Sequence, residues 1–564
     1  MSYILGIDTG GTFTDGALVD PVTRRVHGTA KAFTTRKDLS MGIRNCFRKL
    51  PEDQLSQVSL VCLSTTLATN AVVEGRQSPV GLFISGRTID RSLPADYCVR
   101  LSGELDIKGR QRIGVDSEEV RQKAKELKGK IEAVAVSSFA SVRNPVHEIQ
   151  IKKIVREVLD LPVVCAHELC QSLGFYDRTV TAALNAGLIT CITSLIADVR
   201  KIMREFSLED VPLMIVKGDG SLMKWEYAWS RPVETILSGP AASVVGARFL
   251  TGKDDALVVD MGGTTTDMAC ICNGKAHLKE SGAVIGGWCP QIRAVKVSTF
   301  GIGGDSRLDV NEEGRLTVGP RRVVPLCMAE QYNRMTGEKG NVPTRVRTEE
   351  QSALTPTDLL HAAGQFSRWE TGASVKGAAE MAGQMHMEYR HFLKFAINEI
   401  EEKLAEACQN IFQNEVCQNT ESRTVIALGA PVKAWMPKVC EKLPAALIIP
   451  PYAEVANAIG AASGSVSAEE KVILRPDQYH ERIVVHASWG VISFETLEQA
   501  KEYALEKAEE YARKKAGHAG GEQVTTSCQV KEIRMDHSAT GEKQFIEMRI
   551  SAVAVGSPSW SSHK

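Results

Sequence analysis

The fourteen cysteines include no CxxC pair, no apolar run reaches the about 18 residues that a membrane-spanning helix needs, and neither sign of charge dominates. Each lack narrows the field. The cysteines read as reduced core or surface thiols of a cytoplasmic protein. Cys270 and Cys272, alternate residues of a strand, and Cys165 and Cys170, flanking a short loop, are the spacings that invite a metal reading. A formal net charge of −1 gives no reason to expect nucleic acid or an anionic membrane as a partner. The N-terminus has no basic n-region and enters a strand at once, so no signal peptide is expected. What remains is a globular composition, 43% hydrophobic, and at 564 residues too long for one ordinary domain, so two or three are expected.

What the chain does contain is a repeated turn. Tyr3-Ile-Leu-Gly-Ile-Asp-Thr-Gly-Gly-Thr-Phe-Thr-Asp15 is an apolar strand that ends in Asp8 and turns back through Thr9, Gly10, Gly11 and Thr12. Ala256-Leu-Val-Val-Asp-Met-Gly-Gly-Thr-Thr-Thr-Asp-Met268 repeats the order: strand, Asp260, Gly262, Gly263, Thr264, Thr265, then Asp267. Paired glycines let backbone N–H groups approach phosphate oxygens, and an Asp at a strand end can hold Mg²⁺, usually through water. One such turn could be an ordinary hairpin. Two with the same order of residue types suggest two similar halves serving one nucleotide.

Along the chain, strands are expected at Gly16–Asp20 and Arg25–Phe33, joined at Asp20-Pro21, and a helix from Leu39 to Leu50. Val58–Leu63 runs into Ser64-Thr-Thr-Leu-Ala-Thr-Asn-Ala-Val-Val-Glu-Gly75, where either an anion at the helix start or capping by Ser64 or Thr65 explains the hydroxyls. A strand at Pro79–Ser85 precedes an irregular stretch to Arg112, then a helix Ser117–Leu127 and a strand Ile131–Phe139. His147 and Glu148 invite a metal, but a helix starting at Asn144-Pro145 accounts for them. A long helix begins at Phe175, and Lys217 to Met223 reads as a turn rather than a site. Val297 to Ser306 is a third glycine-rich turn with Asp305 and Ser306 at its tip, and Leu326 to Arg347 a polar insertion or lid. Helices fill Thr357 to Gln413. A tail from about residue 467 reads as a small α+β domain, with Trp560 to Lys564 fraying.

In order, Gly6 to Asp15, Thr65-Thr-Leu-Ala-Thr-Asn-Ala71, Ser138-Phe, Asn144-Pro-Val-His-Glu148, Arg231 to Ala242, Asp260 to Asp267, Gly301 to Ser306 and Gly314 to Pro320 resemble the hydantoinase A/5-oxoprolinase family. The resemblance is specific to about Pro320, weaker to Ala462, and does not reach the last segment. It implies the acetate kinase, sugar kinase, heat-shock chaperone and actin superfamily. The implied fold class is α/β: two ribonuclease H-like, actin-like ATPase domains around a nucleotide cleft, plus a small α+β C-terminal domain. The implied bounds are 1–180, 181–466 and 467–564. On that template ATP and Mg²⁺ are the cofactors, with Asp8 and Asp260 positioning metal and Asp15 and Asp267 the acid/base candidates. Thr9 to Thr12, Gly262 to Thr265, Gly303, Gly304 and Gly429 are the implied nucleotide contacts. Three departures stand out: Leu63-Ser64 replaces a His-Gly, Leu428 to Ala434 lacks the family's His, and a Pro-Gly-Pro-Ala-Cys-Tyr-Gly stretch is absent.

The resemblance implies an ATP-dependent hydrolase subunit that phosphorylates a carbonyl oxygen of a cyclic amide or related small substrate. Alternatives are a ketone carboxylase subunit or an actin-like regulatory ATPase acting on a client protein. A simple sugar or acetate kinase shares the phosphate loops but leaves Arg231 to Ala242 unexplained. A second, B-type subunit and an oligomeric state are expected.

Overall fold

Seven successive residues, Tyr3–Thr9, are all buried, as a central strand covered on both faces requires. The structure, a computed structural model, describes residues 2–34, 39–170, 174–279, 282–330, 352–414, 423–477, 482–536 and 543–559. The expected fraying end, Trp560 to Lys564, and most of the expected insertion, from residue 331 onward, lie outside these residues.

The chain groups into two compact units. The first holds Met1–Ala241, Leu278–Ala294 and Ala461–Lys564, and the second holds Ala242–His277 and Val295–Gly460. The bounds expected after residues 180 and 466 are not edges of these units. A physical reason is visible at Val466. Strand Val466–Pro476 joins strand Leu222–Lys224 through the register pair Leu222–Val466, and Leu222 N–H donates to Ser465 at 2.8 Å. The tail is thereby hydrogen-bonded into the first unit's large sheet, a long-range pairing that composition along the chain does not reveal.

Within the first unit, Val26–Phe33, Phe13–Val19, Tyr3–Thr9, Val58–Thr65 and Leu213–Val216 lie side by side in that order. Phe13–Val19 is antiparallel to its two neighbours, while Tyr3–Thr9, Val58–Thr65 and Leu213–Val216 are mutually parallel. The second unit repeats the core of the pattern. Ala256–Met261 pairs antiparallel with Thr266–Cys272 and parallel with Arg423–Leu428, which pairs parallel with Ala445–Ile448. Its apolar core includes Leu257, Val259, Phe392, Ile400, Val425 and Trp435.

The first unit also contains a four-stranded parallel sheet, ordered Val163–Cys165, Ala133–Ser138, Val80–Ser85, Tyr97–Leu101. Tyr97–Leu101 falls in the stretch expected to be irregular. It is an edge strand with only Leu101 buried, so it lacks the apolar run that marks its neighbours. Helix Ser117–Leu127 begins where expected because Asp116 accepts from Glu118 N–H at 2.8 Å and Glu119 N–H at 3.3 Å. Helix Phe175–Glu205 is long and apolar enough to cross a membrane, yet most of its apolar stretch is buried in the fold. Among the described residues twelve cysteines lie outside any disulfide, whereas Cys272, expected to be a reduced thiol, is disulfide-bonded.

In the tail, helix Leu497–His518 buries Ala500, Ala504, Ala508, Ala512 and Ala516, one residue per turn, against a sheet face that includes Val472, Leu474, Met548 and Ile550. The small side chains let helix and sheet approach closely. Ala508→Leu is therefore expected to overpack this face and destabilise the chain by about 1–3 kcal/mol. A lowered denaturation midpoint checks this, and an unchanged midpoint contradicts the packing described.

Candidate functional site

The two glycine turns share one hydrogen-bonding plan. In the first unit Gly10 N–H donates to Phe13 at 3.0 Å, and in the second Gly262 N–H donates to Thr265 at 2.9 Å. The register then sets Asp8 opposite Asp15, and Asp260 opposite Asp267. Residues directly opposite on antiparallel strands project from the same face, so each hairpin places two carboxylates side by side. Like charges in that position repel unless something neutralises them.

The two hairpins meet that repulsion differently. Asp15 stands opposite Lys31 on the third strand, and the Lys31 ammonium lies 2.6 Å from the Asp15 carboxylate. At the corresponding place in the second unit, Asp267 stands opposite Thr299, whose hydroxyl donates to Asp267 at 2.6 Å. Burial and the nearby Asp260 charge push the Asp267 carboxyl up to about 6, against the Thr299 hydrogen bond. Of the two acid/base candidates, Asp15 is tied to a cation, whereas Asp267 has no cation beside it among the described residues and its carboxyl is raised to about 6.

Around Asp8 the first unit presents polar groups without internal partners. Ser64 is Asp8's register partner on the parallel strand. Its Oγ, and Thr9 Oγ1, are buried with no hydrogen-bond partner among the described residues. A Cβ at Gly11 would meet nothing within 4 Å, so packing does not demand glycine there. Buried hydroxyls beside a buried carboxylate, next to a glycine that leaves space, fit a polyanion held with a divalent cation. Thr12 contributes its carbonyl to Thr34 N–H at 2.9 Å.

The hydroxyl-rich segment after the fourth strand is braced within the same unit. Ser238 donates to the Thr65 carbonyl at 2.7 Å, Leu237 N–H donates to Thr69 Oγ1 at 2.9 Å, and Thr65 Oγ1 accepts Leu67 N–H at 3.1 Å. The helix Leu67–Val73 is seven residues long, and its capping residue Thr66 makes no side-chain cap. Two stretches far apart in sequence, Thr65 to Thr69 and Leu237-Ser238, thus hold each other in place.

In the second unit the third glycine turn buttresses the second. Gly304 N–H donates to Gly262 at 3.0 Å and Asp305 N–H to Gly263 at 2.5 Å. A Cβ at Gly303 would stand 2.6 Å from Gly263 backbone atoms, so only glycine fits. Ser306 Oγ accepts Gly303 N–H at 2.8 Å and donates to Thr264 at 3.0 Å. Gly429 has φ +98°, and a Cβ there would lie 2.1 Å from the Met261 carbonyl and 3.2 Å from Asp260 Oδ1. Gly303, Gly304 and Gly429 are thereby brought against the Asp260 turn. Ser243 was not singled out by its sequence context, yet its Oγ donates to Asp260 Oδ2 at 2.6 Å. It lies seven residues beyond Ile236 on a small-residue helix, and only its fold neighbourhood reveals the contact.

Two other expectations resolve structurally. Glu148 is buried, accepts Ser138 N–H at 2.8 Å and His167 N–H at 3.0 Å, and lies 2.5 Å from the His167 ring nitrogen. Glu148, Cys165 and His167 place ligand-type atoms within 4.8 Å of one another, but these hydrogen bonds account for them without an ion. The Lys217 to Met223 turn is more than a bend. Lys217 pairs with Glu234 at 3.2 Å, Arg231 with Glu234 at 3.1 Å, and Arg293 with Asp219 at 3.4 Å. Burial opposes charge on Lys217, but the Asp219 and Glu234 carboxylates outweigh it and hold the ammonium above its ordinary value.

The hydantoinase/oxoprolinase family matches residues 178–470, and that family's N-terminal region matches residues 4–159. The acetophenone carboxylase gamma subunit of Aromatoleum aromaticum is 28% identical over 364 residues, covering 56% of this chain and 49% of that protein. The caprolactamase subunit alpha of Pseudomonas jessenii is 27% identical over 357 residues, covering 57% of this chain and 50% of that protein. The matched region thus spans about half the length of these relatives. The crystal structure of ATP-dependent caprolactamase from Pseudomonas jessenii shares the fold, with a TM-score of 0.72 at 20% identity over 98% of this chain and 87% of that one.

The Asp267 environment generates a test. Its folded-state pKa lies above the ordinary 3.8, so ionising it costs stability. The stabilisation from this group is full below about pH 4 and is lost as pH rises through about 6. Carboxyl NMR of the metal-free protein should show one carboxylate titrating near 6, and Asp260→Asn should lower that midpoint. A midpoint at the ordinary aspartate value would contradict the geometry.

Proposed function

The chain belongs to the hydantoinase/oxoprolinase family, and on that premise we propose that it is an ATP-dependent enzyme subunit that activates the carbonyl oxygen of a cyclic amide or related small substrate. The observation that carries this reading is the repeated hairpin, with an aspartate pair and a glycine turn in each unit. The two repeated strand patterns are read as the two ribonuclease H-like halves of an actin-like ATPase. Mg-ATP supplies a phosphoryl group to the substrate oxygen, turning a stable amide into one that hydrolyses.

The chain's residues have distinct tasks in this scheme. Asp8 in the first unit and Asp260 in the second would each offer a carboxylate to metal, and backbone N–H groups of the turns at Thr9 to Thr12 and Gly262 to Thr265 would bind phosphate oxygens. Charge stabilisation and positioning are what phosphoryl transfer asks of a protein. Ser243 orients the Asp260 carboxylate through its 2.6 Å hydrogen bond. Gly303, Gly304 and Gly429 keep side chains out of the space around the Asp260 turn. Asp267, poised near pH 6, takes or returns the proton. Asp15, paired with Lys31, fixes charge near the first turn rather than moving a proton.

A ketone carboxylase subunit is the second reading, favoured by the 28% identity to an acetophenone carboxylase subunit. It uses the same activated oxygen on a different carbonyl. Both readings imply a partner polypeptide, because the relatives are themselves named as subunits.

Asp8→Ala and Asp260→Ala should each lower ATP turnover by about a hundredfold or more while leaving the circular dichroism spectrum unchanged. Turnover is to be measured with a panel of lactams, hydantoins and ketones. Stimulation by a lactam or hydantoin supports the first reading, and stimulation by a ketone with bicarbonate the second. Undiminished turnover in either variant contradicts the assignment, and stimulation by a co-purifying protein alone favours a regulatory ATPase.

A further inference from the structure

The small parallel sheet of the first unit has its own topological switch. Strands Val80–Ser85 and Ala133–Ser138 are neighbours, and the chain leaves them toward opposite faces. The segment after Ser85 packs Ile89 and Leu93 with Leu82 and Ile84. The helix after the second strand, Val146–Leu159, packs Ile151 and Val155 with Phe83, Val134 and Val136 on the other face. Where adjacent parallel strands diverge in this way, a crevice forms outside their carboxyl ends, and open α/β sheets bind ligands there.

Polar side chains gather at this point. Ser85 and Ser138 are register partners, and strand alternation sets both on the face of Phe83 and Val136. Ser137, on the opposite face, is bonded to Thr179 at 2.7 Å. His147, in the first turn of Val146–Leu159, places Nδ1 3.5 Å from Ser85 Oγ. Ser138, Ser141 and His147 are each 1% exposed or less. Yet Ser138 Oγ, Ser141 Oγ and His147 Nε2 have no partner in hydrogen-bond geometry among the described residues. A hydrogen bond to the Ile113 backbone favours the charged imidazole, but burial prevails and holds the ring below its ordinary value.

The surroundings select the ligand's chemistry. Both Glu148 oxygens already accept N–H groups, from Ser138 on one side and His167 on the other. Arg178, buried behind the strand end, reaches the Ser138 carbonyl with Nη2 at 3.4 Å. Two uncommitted hydroxyl donors, a neutral imidazole and a cation behind them call for an acceptor oxygen. We propose that the buried cluster of Ser138, Ser141 and His147 at these strand ends is a binding site for a small molecule bearing a carboxylate or an amide carbonyl. The oxygen of that group accepts from the Ser138 and Ser141 hydroxyls, and His147 Nε2 meets the adjoining polar atom. The proposal uses none of the hairpin aspartates and does not depend on the nucleotide assignment.

Saturation-transfer NMR on the full chain, without nucleotide, tests this with acetate and 2-pyrrolidinone as probes. Wild type should bind at least one of them saturably, acetate indicating a carboxylate site and 2-pyrrolidinone an amide one. Ser138→Ala and Ser141→Ala should each weaken that binding by about tenfold, with an unchanged circular dichroism spectrum as the control for folding. Absence of saturable binding of both probes to wild type overturns the proposal. So does undiminished binding in the variants, including the case where their Tm rises because a hydroxyl that held only internal water has been removed.

Discussion

The function proposed for this chain depends on a register: an aspartate at the end of one strand set opposite an aspartate on the next. A tight glycine turn fixes that register, through Gly10 to Phe13 in one unit and Gly262 to Thr265 in the other. Shifting either hairpin by one residue would send one carboxylate to the opposite face of its sheet. The turn and the carboxylate pair are therefore one device, and the parallel strands beside it supply the buried platform. The repulsion built into each pair is a cost that a folded core can bear only if it is neutralised locally or by a bound cation.

The two copies have settled that cost in different ways, and the difference carries chemical meaning. Lys31 neutralises Asp15 from the neighbouring strand. In the second unit Thr299 offers a hydroxyl instead, leaving Asp267 with a proton affinity close to physiological pH. Duplication thus provides two similar loops with unlike charge states, one suited to fixed electrostatics and one to proton movement. Gly303 and Gly304 hold the second loop by backbone contacts that tolerate no side chain. That bracing explains why a third glycine turn recurs so close to it in sequence.

Much of this was legible in the residues. The strands, both turns and their four aspartates follow from apolar runs ending in acidic and glycine residues, whereas Gly429 came from the family resemblance. Long-range pairings were not legible. Val466 is an ordinary apolar residue until it pairs with Leu222, and nothing in the tail's composition shows that it completes the first unit's sheet. Lys31 faces Asp15 only because a register shift occurs between Leu18 and Val19, which strand alternation does not anticipate. Ser243 and the Lys217–Glu234 pair are similar cases, in which partners distant in sequence meet through the fold. The edge strand Tyr97–Leu101 escaped notice because it buries one residue of five.

The central proposal is that each hairpin binds phosphate through its turn, with its own strand-end aspartate, Asp8 or Asp260, offered to metal. Hydrogen–deuterium exchange with and without Mg-ATP addresses it most directly, read on peptides spanning Ile4 to Asp15 and Leu257 to Asp267. The account predicts slowed exchange in both peptides, lost when Mg²⁺ is omitted. Protection of neither peptide, or of one alone, would contradict it.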